Sequence, residues 1–386
     1  MKLFERLFDP YEPADGPPPG RLWPFMKWLV AGAGPSIWGL LAATVALGVS
    51  EAAIAFAVGH IVDRTAAEDP ATVLAEDWPF LLAALAFFLA IRPALMAATS
   101  GFISRSLYPG LYHLGVWRLH GHTLGPSMDF FEQDFAGRIA QKQTQTAMAI
   151  TDVVVETLNA VSYGIAALIA SAVVLASADW RLGGILAVWF AGYFLLVRYF
   201  LPRIRAKSKA RAEARAGLSG QIVDTLSHME TVKLYAHSGR EEAEARRALA
   251  RFRAAALDYG RVTWAFRASL AVVASVLPVL LVGGAMWLWV EALAGPGAIA
   301  MAGMLSTRLA HMSGWISFTA MGIFTNLGVV EDGMRTLSPA HAITDAPDAV
   351  EPDRARGAIA FEGVRFHYGR EDRAGGLDGL DLRVAP

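Results

Sequence analysis

The sequence predicts an all-α membrane protein: six transmembrane helices with long helical hairpins on one side, followed by the opening of a separate β-containing domain. Three observations carry this. Six apolar stretches, Ile37–Gly59, Pro79–Ile103, Val153–Ala178, Leu182–Leu201, Val262–Val290 and Ala298–Thr325, are each about 20 residues or longer, enough to cross a hydrocarbon core roughly 30 Å thick. Their spacing alternates: short links (60–78, Ser177–Arg181, Glu291–Gly297) on one side, and segments 104–152 and 202–261 on the other. The 386 residues are 54% hydrophobic and 18% charged, too apolar for an ordinary soluble domain.

Residues 1–34 form a tail and an interfacial elbow. The tail is acidic and proline-rich (Asp9, Glu12, Asp15, Pro17–Pro19), unlike a cleavable signal peptide, so the first span is expected to stay in the membrane. Aromatic and basic residues in Arg21–Trp28 suit a short helix lying at the bilayer surface. Residues 35–341 hold the six spans. Within them, Ser104–Leu124 continues the second span for about 30 Å at 1.5 Å per residue. The first hairpin, about 104–152, turns at Gly125-Pro126; Ser127 reads as an N-cap and Gly137 as a stop. Phe130 and Phe131 sit at this polar tip, where adjacent aromatics need something to dock into. The second hairpin, about 202–261, reads as a basic helix Arg203–Gly217, a turn over Leu218–Glu230, and a returning helix Thr231–Arg261. Pro278 is expected to kink the fifth span.

Residues 342–356 are polar and proline-containing, a linker composition. Over 357–386 the pattern changes to strands. Ile359, Phe361, Val364, Phe366 and Tyr368 form one, with Gly363 marking a bulge, and Leu377, Leu380, Leu382 and Val384 form the next.

The net charge of −1 hides a segregation. Segment 198–261 is rich in Arg and Lys, whereas the link after the first span carries Asp63, Glu68, Asp69, Glu76 and Asp77 against Arg64. By the positive-inside rule the N-terminus and long hairpins are expected in the cytoplasm, and the excess base is a topology signal rather than a nucleic-acid site. There is no Cys, which excludes disulfides, thiolate metal sites and cysteine nucleophiles. His113, His120 and His122 lie on a polar arm and do not share one face, so no metal site is expected. The Ala, Arg and Gly usage suits a GC-rich bacterial genome, and with six spans the expected location is a bacterial inner (plasma) membrane.

In this order and at these distances, the motifs resemble those of half-transporters of the ATP-binding cassette (ABC) exporter family. The resemblance covers almost the whole chain. In the first hairpin the family pattern is met by Phe130, Phe131, Gly137 and Lys142; in the second by Asp224, Val232, Lys233, Tyr235 and Glu241; at the domain start by Phe361, Val364, Phe366 and Tyr368. Thr146 stands where an Asp is common and His228 where a Gly is common. The fold implied is the ABC exporter six-helix type followed by an incomplete α/β nucleotide-binding domain. The family's phosphate loop, G-x-x-x-x-G-K-[ST], is expected beyond Pro386, so the chain by itself is expected not to hydrolyse ATP. Leu218-Ser-Gly-Gln221 imitates the family's signature motif but falls in the membrane half and is one Gly short.

The resemblance implies two such chains pairing as a homo- or heterodimer in a lipid bilayer. A nucleotide-binding domain, in cis or on a separate chain, would use ATP and Mg²⁺. Tyr368 would stack on adenine; Phe130, Phe131, Asp224 and Glu230 would couple the hairpins to that domain. The expected cargo is a hydrophobic or amphiphilic compound of the drug or lipid class. A peptide or thiol conjugate is the alternative, and a non-transporting scaffold is the reading from another class.

Charge inside a span is costly and marks function by default. Glu51, Arg92 and Arg308 qualify, with Arg92 and Arg308 near mid-depth. An ion pair of Glu51 with Arg92, or with Arg308, is the plain structural reading, and a polar cavity for an amphiphilic or anionic substrate the functional one. Arg308, His311 and Trp315 lie at i, i+3 and i+7, on one helical face, and would offer a cation, a titratable ring and a stacking surface.

Overall fold

The computed structural model describes residues 4–125, 130–131, 136–235, 238–339, 348–350, 357–367 and 376–386. It divides into two compact units, Met1–Ala340 and His341–Pro386.

The first unit is helical. Its elements are α1 (Leu22–Val30), α2 (Gly34–Ala67), α3 (Pro70–Glu76), α4 (Trp78–Thr123), α5 (Ala136–Ala178), α6 (Trp180–Ser227), α7 (Met229–Leu234), α8 (Ser238–Val290) and α9 (Pro296–Leu337). Six of them, α2, α4, α5, α6, α8 and α9, are long and apolar enough to cross a membrane. The elbow α1 buries Phe25, Met26 and Leu29 and leaves Trp23 exposed, the split expected of a surface helix. It is tied to α4 by Arg118, whose guanidinium donates to the carbonyls of Trp28 (2.6 Å) and Glu12 (3.2 Å).

The apolar faces assemble two main cores. One joins α2, α5, α6, α8 and α9 through Ala55, Leu175, Leu186, Leu281 and Leu305. The other lies where the arms leave the spans and gathers Leu29, Leu119, Ile150, Val153, Val330 and Met334. Interhelical hydrogen bonds supplement packing where both lipid and side chains are apolar. Trp189 Nε1 donates to the Val273 carbonyl at 2.7 Å, and Tyr193 Oη lies 2.8 Å from Ser317 Oγ.

Three wide π turns interrupt the α-helical pattern: Phe87–Ile91 and Phe102–Leu107 in α4, and Thr157–Val161 in α5. The amides of Arg92, Tyr108 and Ser162 reach back five residues, to Phe87, Ile103 and Thr157. In α4 both wide turns end just before a proline, Pro93 or Pro109, whose missing N–H breaks the regular ladder.

The hairpins differ locally from the sequence reading. Leu218–Ser227 is helix, not turn: α6 runs unbroken to Ser227, and the chain reverses around α7. Good helix formers outweigh Gly217 and Gly220 there. Gly137 lies inside α5 near its start rather than ending a helix, and Ser127 lies outside the described residues. α8 continues through Pro278 and α6 through Pro202.

The second unit holds an antiparallel pair, β1 (Ile359–His367) and β2 (Gly376–Val384). Its register shifts on either side of Val364, beside Gly363, whose φ of 58° favours glycine. Tyr368 and most of the 342–356 linker lie outside the described residues.

Candidate functional site

Glu51 is the centre of the charged residues in the bundle. Its side chain is 7% exposed and lies on the inward face of α2. Gly48, one turn earlier, brings α2 and α5 together: a Cβ there would come within 2.7 Å of the Tyr163 carbonyl. That close approach sets Tyr163 beside the carboxylate.

The Glu51 carboxylate accepts hydrogen bonds from three helices. From α9, Arg308 binds it bidentately, Nε to Oε2 at 2.6 Å and Nη2 to Oε1 at 2.6 Å. From α4, Arg92 Nη2 donates to Oε1 at 3.1 Å. From α5, the Tyr163 hydroxyl donates to Oε1 at 3.0 Å. Planar fork-to-carboxylate geometry is the strongest form of ion pair, and the extra donors satisfy the remaining lone pairs. Arg92 Nε is buried with no partner among the described residues. Two guanidiniums share one carboxylate, so the hub keeps one surplus positive charge.

The wide turns contribute to this meeting. Arg92 follows the Phe87–Ile91 turn directly, and Tyr163 stands two residues past Thr157–Val161. Arg308 is 46% exposed, against 23% for Arg92, so the hub reaches the bundle surface on the α9 side. His311 and Trp315 are exposed on the same face of α9, as their spacing predicts. Trp315 meets the Tyr163 ring edge-on at 6.2 Å, and His311 stands outside the hydrogen-bonded group. Charge inside apolar spans therefore singled out Glu51, Arg92 and Arg308, and the geometry joins all three; it missed Tyr163, whose hydroxyl carries no sequence signature of its partner.

The remaining candidates lie elsewhere. Phe130 and Phe131 are half-buried, meet edge-on at 5.2 Å, and pack against the second core, whose members Leu119, Ile139 and Leu337 extend along the arms. Asp224 is exposed near the end of α6 beside His228, and Glu230 is exposed at the start of α7. Thr225 donates to Glu241 at 2.9 Å and ties the returning arm to α6. Lys142 on α5 pairs with Asp332 on α9.

A second group was not anticipated. Asp152 and Glu156 on α5 line a cavity of about 610 Å³ together with Trp315, Phe318 and Asn326 on α9. Both carboxylates are half-buried, and Asn326 donates to Asp152 at 3.2 Å. In the sequence they stand at the seam between arm and span, where acidic residues read as solvated arm charge.

Known proteins resemble this chain in sequence and fold. It is 29% identical over 379 residues to an uncharacterized ABC transporter ATP-binding protein of Haemophilus influenzae, covering 95% of the chain and 59% of that protein. It is 20% identical over 300 residues to YgaD of Bacillus subtilis, which bears a provisional name as a multidrug export ATP-binding/permease protein, covering 78% of the chain and 51% of that protein. The chain thus spans little more than half the length of these relatives. Its fold matches a solved bacterial Atm1-family ABC exporter with ATP bound, at a TM-score of 0.65 and 18% identity, over 93% of this chain and 61% of that one. Residues 37–291 match the profile of the ABC transporter transmembrane region, and the chain belongs to that family as a multi-pass membrane protein of six spans.

Proposed function

We propose that this chain is the transmembrane half of an ATP-driven exporter of hydrophobic or amphiphilic compounds. The observation that carries the reading is the open α9 face at mid-span, where Arg308, His311 and Trp315 stand exposed beside the Glu51 hub. Polar and aromatic groups held together in an apolar bundle suit a molecule with a charged or polar head and an apolar body. The family membership and the multidrug name of one relative support the same class.

On this reading two six-helix halves pair in a bacterial inner membrane with their arms in the cytoplasm. Residues 35–341 form the membrane domain, and 357–386 begin a nucleotide-binding domain that uses ATP and Mg²⁺. Tyr368 stacks on adenine. Phe130, Phe131, Asp224 and Glu230 stand at hairpin tips that pass its closure to the spans.

Three measurements test this. The reading frame beyond Pro386 is expected to encode G-x-x-x-x-G-K-[ST]. The full-length protein in proteoliposomes is expected to move a fluorescent amphiphile only with ATP and Mg²⁺. Phe131→Ala should insert normally yet lose most substrate-stimulated ATP hydrolysis. ATP-independent behaviour of the full-length protein, or a variant that fails to insert, counts against the exporter and coupling assignments respectively. A frame closed at this point with no ATPase partner would favour a scaffold.

A further inference from the structure

The polar cavity between α5 and α9 carries the opposite charge to the one first sought in the bundle. Asp152 and Glu156 are four residues apart, so they share one face of α5 and point to the same space. Glu156 has no hydrogen-bond or ion-pair partner among the described residues. Among the described residues no Arg or Lys lines the cavity. Arg308 and Arg92 are engaged on Glu51, and Arg267, the cation nearest the cavity, covers one face of the Phe318 ring at 4.4 Å without lining the space itself.

The remaining walls come from α9 and include two aromatic rings. Trp315 and Phe318 are 42% and 51% exposed and flank the opening. Gly314 and Gly322 also line it, and a Cβ at either would meet nothing within 4 Å, so the α9 surface dips between the rings. At about 610 Å³ the space falls in the range of sites for drug-sized ligands. Two carboxylates beside aromatic faces form a receptor for an organic cation, held by ion pairing on one side and by ring quadrupoles on the other. The cavity sits at the seam where the apolar spans give way to the charged arms. There an amphiphile's charged head meets water while its body stays in the apolar layer.

We infer that this cavity binds the cationic head of an amphiphilic compound, with Asp152 and Glu156 setting the charge preference and Trp315 and Phe318 holding the apolar body. The inference deepens the exporter reading and rests on it for the word substrate, though binding itself requires no transport.

The test uses two ions of the same shape and opposite charge, tetraphenylphosphonium and tetraphenylborate. Binding is measured by equilibrium dialysis on the chain in zwitterionic nanodiscs, with empty nanodiscs subtracted. The expected result is at least tenfold tighter binding of tetraphenylphosphonium. Glu156→Gln and Asp152→Asn should each weaken the cation at least tenfold and leave the anion unchanged or tighter. Glu156→Asp should keep most of the cation affinity, which a loss of folding would not allow. Should Asp152→Asn lower the melting temperature, Glu156→Gln carries the test, because it breaks no internal bond. Equal affinity for the two ions, or carboxamide variants that bind the cation like the parent, overturn the inference. ATP-driven movement is scored separately in the full-length protein. Cation binding without movement would sink the exporter reading and uphold the site. Movement of amphiphiles with no dependence on Glu156 in either assay would do the reverse.

Discussion

Glu51 and Glu156 are both glutamates on helices of one bundle, and their surroundings are opposite. Glu51 is buried and takes donors from Arg308, Arg92 and Tyr163, on three helices other than its own. Glu156 is half-exposed beside a cavity and takes none among the described residues. The first carboxylate spends its bonding capacity on the protein. The second keeps it for whatever enters. A charge in an apolar bundle therefore signals binding only when its partners are counted; its rarity in the sequence does not distinguish the two cases.

The largest effect that should separate them is on stability. Glu51→Ala strands two guanidiniums among apolar helices, and breaking a buried pair from one side costs about 3–5 kcal/mol. Unfolding in mixed detergent should show a correspondingly lower midpoint; an unchanged midpoint would place Glu51 with Glu156 as an open charge.

A smaller effect is expected from the partners. Arg308→Ala leaves Glu51 with Arg92 and Tyr163, and Arg308 is nearly half exposed, so solvent discounts the loss to about 1–2 kcal/mol. Tyr163→Phe removes one of several donors and should cost about 1 kcal/mol. Combined with Glu51→Ala, each loss should be less than additive. If Arg308→Ala instead keeps full stability and changes which amphiphiles are moved, Arg308 belongs to the substrate rather than to the hub.

The smallest stability effect is expected at the open site. Glu156→Gln should shift unfolding by no more than about 0.5 kcal/mol, the usual range for a substitution that breaks no contact. A larger loss would show that Glu156 holds the fold and that the contrast with Glu51 is one of degree.

The long-range plan was legible because length, hydropathy and gap alternation depend on the bilayer, not on neighbouring side chains. The six spans, the two long hairpins and the strand-like start with its bulge at Gly363 follow from that plan and from turn chemistry. What depends on helix rotation was less legible. Pairing of Glu51 with Arg92 or with Arg308, 257 residues away, was foreseen as two separate options; that both guanidiniums share the carboxylate, Arg308 bidentately, and that Tyr163 is the fourth member, was not. Asp152 and Glu156 escaped notice because a carboxylate at a span boundary looks solvated until the α9 rings are seen beside it. Only Leu218–Ser227, the last stretch of α6, was read as a turn, whereas it is helix and is tied to α8 by the Thr225–Glu241 bond of 2.9 Å.

The wide turn at Phe87–Ile91 has a consequence for how α4 tolerates change in length. A π turn is an α-helix holding one residue more than its neighbours on either side require. Deleting Leu89 would remove that spare residue, let the segment close into ordinary helix, and leave Trp78–Ala86 and Arg92 on the faces they now occupy. The same deletion in the regular stretch Arg92–Gly101 has no slack to draw on: it would turn everything on one side by about 100°, because each residue advances an α-helix by that angle. A one-residue gap in this span is thus nearly silent at one place and disruptive a turn or two later, so any comparison of relatives that aligns α4 without a gap at Phe87–Ile91 can set the wrong side chain opposite Glu51.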